Sequence, residues 1–175
     1  MTRRFLQLSL VAIALAGVAL ASLASSEDNF LAARLSGLNE VPPTASRGTG
    51  TLRATISNDE ASISFTLTFD NLTANPAVAH IHFGPTKVNG GVMVFFCGGG
   101  GKPACPAATS GTVTGTITAA DIVGPAAQGI PAAPAGQFAD VIRAIRTGNG
   151  YANIHTANFP GGEIRGQVRT DDDNN

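Results

Sequence analysis

Two of the three histidines in this 175-residue chain stand one residue apart, His80 and His82 in "AHIHFGP", and the third, His155, lies in "YANIHT". Imidazole titrates near neutral pH and is the commonest metal ligand, so this pattern raises a metal centre first. On a β-strand, residues two apart share a face and stand about 6.5 Å apart at Cα, within reach of one ion. Three neutral imidazoles suit zinc or copper. Without an ion, the same residues serve as polar members of a sheet, and cross-strand pairs of that kind contribute about 0.2–1 kcal/mol each. The residues alone demand no cofactor and leave both readings open.

Alternation places the candidates. In "AVAHIHF", Ala79, Ile81 and Phe83 must face a core, which sends His80 and His82 to the outer face of the strand. In "YANIHT", Ile154 goes inward while Tyr151, Asn153 and His155 go outward; in "GEIRGQVR", Ile164 and Val168 go inward while Glu163, Arg165 and Gln167 go outward. The connection "TANFPGG" is short, so these two segments are expected to be antiparallel neighbours. All three histidines, with Glu163 and Arg165, then share one sheet face. Asn153 or Glu163 is suitably placed to accept a hydrogen bond from an imidazole and fix its tautomer.

Other chemistries find less support. No Gly-x-Ser-x-Gly elbow is present, and "CGGGGKP" lacks the Ser or Thr and the following helix of a phosphate loop. Glu40 and Glu163 would make a glycosidase pair only at a defined separation, which spacing along the chain does not fix. The reading is therefore non-enzymatic. Asn71-Leu72-Thr73 has the form of a glycosylation sequon, a motif common by chance. Cys97 and Cys105, the only cysteines, read as a disulfide closing a small loop; a thiolate metal site would need further soft ligands that "CGGGGKPAC" does not supply.

The elements that carry these residues follow from periodicity. Ile63, Phe65, Leu67 and Phe69 alternate with Ser and Thr, Leu52, Ala54 and Ile56 alternate before them, and "SNDE" supplies the turn of a hairpin. Further strands are predicted over 30–35, 77–83, 91–96, 111–118, 151–155 and 163–169, about eight in all. The expected fold is all-β, a two-sheet antiparallel β-sandwich. One segment has a period of 3.6: Phe138, Val141, Ile142 and Ile145, with Arg143 and Arg146 late and Gly148 beyond, predict one short amphipathic helix.

The chain opens with Arg3-Arg4, an apolar run and small residues at Ala19–Ala21 and Ser22–Ala24, the order of a secretory signal peptide over 1–24. The paired arginines raise the twin-arginine route, although Phe5 follows them without a spacer. A single domain is expected over 25–170 and an acidic tail over 171–175, with no membrane span after cleavage. Without Arg3 and Arg4, nine basic side chains face twelve acidic ones, which argues against nucleic acid as a partner. The expected location is secreted or periplasmic.

"LNEVPPTASRGTGTL", "AHIHFGP" with "NGGVMVFF", and "YANIHTANFPGGEIRGQV" occur in an order and spacing that resembles the CHRD domain, over about residues 29–169. That module is named for chordin and is found in many secreted bacterial proteins. The resemblance implies an extracytoplasmic β-sandwich module without established enzymatic activity, whose partner would be an extracellular or cell-surface protein or a small ligand. It supplies no catalytic residues. Chordin's growth-factor binding does not carry over, because its cysteine-rich modules have no counterpart here. His80 to Gly84 is also similar to the His-x-His-Phe-Gly strand of copper/zinc superoxide dismutase. The histidine-rich zinc loop of that family and its aspartate have no match, which disfavours dismutase activity.

Overall fold

The computed structural model describes residues 29–170. The expected signal peptide and acidic tail lie outside the described residues. Eight strands form: β1 Phe30–Ser36, β2 Thr49–Ile56, β3 Ser62–Asp70, β4 Pro76–Phe83, β5 Gly91–Cys97, β6 Gly111–Thr118, β7 Gly150–Thr156 and β8 Ile164–Thr170. One α-helix, α1 Phe138–Arg146, precedes β7. Each predicted strand and the helix is present; β2 begins three residues before Leu52, and the other ends are shifted by no more than a residue or two.

The alternating segments behave as their period requires. In β2 and β3, Leu52 lies opposite Leu67, Ala54 opposite Phe65 and Ile56 opposite Ile63, all on the buried side. The intervening Ser and Thr are mostly exposed. In α1, Phe138, Val141, Ile142, Ala144 and Ile145 are buried, and the helix packs against β7 and β8. It stops where Gly148 adopts a positive φ of 70° and its N–H donates to the Ile145 carbonyl.

The expected two-sheet sandwich needs correction. Backbone hydrogen bonds join all eight strands in one antiparallel sheet, in the order β5-β4-β7-β8-β1-β2-β3-β6. The two edge strands, β5 and β6, return beside one another, so the sheet curls into a nearly closed barrel. Phe65 of β3 and Phe96 of β5 pack across this seam with ring centroids 4.6 Å apart. Strand number and alternation are the same for a sandwich and a barrel; only long-range pairing separates them, and the β1–β8 pairing that links the two ends of the chain has no local signature.

Cys97, the last residue of β5, is joined by a disulfide to Cys105. The glycine-rich loop between them lies on the Phe95 ring, so close that a Cβ on Gly99 would stand 2.5 Å from it. No helix among the described residues is long and apolar enough to cross a membrane.

Candidate metal centre

Strands β4, β7 and β8 are neighbours, and their registers line up the polar positions. His80 pairs with Asn153, which pairs with Arg165; His82 pairs with Tyr151, which pairs with Gln167. His155 lies opposite Val78, diagonal to His80. The side assigned by alternation holds, since Ala79, Ile81, Ala152, Ile154 and Ile164 belong to the apolar core and the histidines do not.

This second face is covered. His80 is only 4% exposed, Tyr151 and Asn153 1%, Arg165 5% and Glu163 0%. Alternation separates the two faces of a strand but is silent on whether a loop covers the polar one. Here two segments do so. Residues 37–44 bring in Glu40, whose Oε2 accepts from Arg165 Nε at 2.8 Å and whose Oε1 accepts from Asn153 Nδ2. Residues 84–90 bring in Asn89, which accepts from Arg165 Nη2 at 2.7 Å and donates to the Val41 carbonyl, tying the two covers together. Gly162, at φ +121°, lets the chain pass so close that a Cβ there would meet Glu40 Oε1 at 2.8 Å and Asn153 Nδ2 at 2.9 Å.

Within this cover the three imidazoles converge. Ring centroids are 4.4 Å apart for His80–His82, 4.7 Å for His80–His155 and 6.4 Å for His82–His155. One potential ligand atom from each ring lies within 4.8 Å of those of the other two. At metal–nitrogen bonds near 2.1 Å, two ligands of one ion stand at most about 4.2 Å apart, so closing on an ion takes a shift of about an ångström.

The tautomers of two rings are set by backbone. His82 Nδ1 lies 2.8 Å from the Gly90 carbonyl and His155 Nδ1 2.8 Å from the Pro160 carbonyl. A carbonyl only accepts, so each Nδ1 carries the hydrogen and each Nε2 presents a lone pair. These carbonyls, rather than Asn153 or Glu163, do the orienting that sequence reading assigned to those side chains. Gly90 is placed for it: its backbone runs so near β4 that a Cβ would fall 1.7 Å from the Phe83 carbonyl oxygen, and its N–H donates to Tyr151 Oη. Tyr151 in turn stacks on His82 with centroids 4.6 Å apart and planes 8° from parallel, while the Arg165 guanidinium lies 4.3 Å from the same tyrosine ring. Phe95 meets His80 edge-on at 5.1 Å.

The rest of the layer satisfies itself. Glu163 accepts from Thr156 Oγ1 and Ser46 Oγ and from both the N–H and the hydroxyl of Thr73. Burial pushes its carboxyl upward, but these hydrogen bonds outweigh it and hold the pKa below the usual carboxylate range. Burial raises Glu40, with Arg165 and Asn153 pulling the other way. Glu40 and Glu163 thus serve different partners. Among the described residues, the only buried side-chain nitrogen or oxygen atoms without a partner are His80 Nδ1, His82 Nε2 and His155 Nε2. Burial, then the neighbouring His82 and His155, push His80 down to about 2. Burial lowers His82 to about 4, against the Gly90 carbonyl, which favours the protonated ring. Both are neutral at pH 7, the form a metal requires.

Sequence reading missed the structural role of Glu40, together with Asn89 and the two carbonyls. The acid in "LNEVPP" was the one visible signal, since it sits among the motif residues without a partner nearby.

Two predictions follow from the covered layer. Glu40→Ala leaves Arg165 buried without its anion and should lower unfolding stability by about 3–5 kcal/mol in urea denaturation; a loss under about 1 kcal/mol would contradict the pairing. An unfolded histidine protonates near pH 6.5, whereas His82 and His80 stay neutral down to about 4 and about 2. Between these values the unfolded chain binds more protons, so stability of the metal-free protein falls as the pH drops. Moving from pH 7.5 to 5.5 should lower the urea midpoint, and His80→Gln should flatten the dependence. A midpoint that rises on acidification in this range would refute the neutral, buried imidazoles.

Comparison with known families gives a match to the CHRD domain over residues 31–168. Comparisons with curated proteins and with solved structures returned no match. The matched span takes in every strand that carries the histidines and both segments that cover them, and on this ground the chain belongs to the CHRD-domain family.

Proposed function

We propose that the chain is an exported, non-enzymatic CHRD module that binds one transition-metal ion, copper or zinc, through His80, His82 and His155. The observation that carries this reading is the coincidence of two facts: the three rings converge within ligand reach, and each holds a buried nitrogen with no partner. A buried polar atom left unsatisfied costs about 1–3 kcal/mol, and the surrounding layer otherwise pairs its side chains fully. A cation accepting three lone pairs removes that cost at once. Export agrees with the disulfide and with the extracellular setting of CHRD domains.

A second reading is favoured by the self-sufficiency of Glu40, Asn153, Glu163 and Arg165. In it the polar layer is a rigid scaffold, and the module presents its covering loops to an extracellular or cell-surface protein or a small ligand. The two readings part on one titration. Calorimetry of the purified, metal-free protein with Cu(II) and with Zn(II) should show a single site, weakened by about 100-fold or more in His82→Ala. Weak binding that is the same in the variant would leave the scaffold reading alone.

A further inference from the structure

We infer that the three-histidine site selects copper in its monovalent state over divalent ions; this rests on the reading that the site binds metal. Charge is the first argument. All three ligands are imidazoles, which coordinate an ion as uncharged donors, and the cost of burying an ion rises with the square of its charge. A carboxylate ligand would offset the larger charge of a dication better than a neutral ring does. Among the described residues no Asp, Glu or Cys joins the three histidines. The two buried acids of the layer are committed elsewhere, Glu40 to Arg165 and Asn153, and Glu163 to Thr156, Ser46 and Thr73. The Arg165 guanidinium, against the ring of the tyrosine that stacks on His82, adds positive potential on that side.

Coordination number is the second argument. Zn(II) is almost always four-coordinate in structural sites, and catalytic zinc fills its fourth position with water. In this protein His80 Nδ1, His82 Nε2 and His155 Nε2 are sealed from solvent, with the Phe95 edge against His80 and the Tyr151 face against His82. The cage offers three nitrogens in apolar and aromatic surroundings. A closed-shell monovalent copper ion accepts such a low coordination number without strain, and imidazole is among its suitable ligands.

The disulfide makes the test clean, because Cys97 and Cys105 leave no free thiol to compete for Cu(I). Metal-free, disulfide-intact protein is titrated anaerobically with Cu(I), kept reduced by ascorbate, against the chromophoric chelator bicinchoninate, and separately with Zn(II) against a zinc-binding dye. His82→Gln and His155→Gln are run in parallel, with circular dichroism to confirm the fold. Two variants are used because His82 is held under Tyr151, whereas His155 is less enclosed. Cu(I) held more tightly than Zn(II) by about 100-fold or more, and lost in either folded variant, is the expected result. Zn(II) bound as tightly as Cu(I), and through the same histidines, would overturn the monovalent preference while leaving the metal reading in place. Binding of neither ion beyond that of the variants would overturn both.

Discussion

Polar groups taken out of water must be paired, and that requirement organises the covered face of β4, β7 and β8. The ion pair between Glu40 and Arg165 is its keystone, joining residues 125 positions apart. Its geometry pulls the segment 37–44 onto the sheet, and Asn89 links that segment to the neighbouring loop. Once these covers are in place, His80 is buried and His82 and His155 are half-buried beneath them. The Gly90 and Pro160 carbonyls fix two tautomers, and three nitrogens are left facing inward without partners.

The same burial accounts for the electrostatics. Burial and their neighbours keep His80 and His82 neutral well below neutral pH. Neutral rings with fixed lone pairs are preorganised ligands, and the cost of assembling them is met by folding rather than by the ion. Arg165 reaches the site indirectly, through the Tyr151 ring that stacks on His82, so the ion pair that closes the cover also sets the local potential. Structure and proposed function therefore depend on one network.

Much of this was legible before any coordinates. Alternation assigned the correct side to His80, His82, Asn153, His155 and Arg165, because the period of a strand is fixed by backbone geometry. The short "TANFPGG" connection correctly made β7 and β8 neighbours. The helix followed from its period and its glycine stop. What could not be read was whatever depends on loops and long-range pairing. "LNEVPP" and "TKVNGG" have no periodicity, so nothing local says that they fold over the histidines. Serine, threonine, glutamate and arginine beside a strand read as solvent-facing, yet Glu163 and Arg165 are buried because their partners arrive from elsewhere in the chain. The closure of one sheet into a barrel was hidden for the same reason.

The central claim is that the three imidazoles hold a single ion together. X-ray absorption at the copper K-edge of the copper-loaded protein addresses it directly, since imidazole ligands give a characteristic outer-shell scattering. The account predicts a shell of nitrogen ligands at about 2 Å with outer-shell scattering from three imidazole rings. A shell of oxygen ligands without imidazole scattering would contradict it.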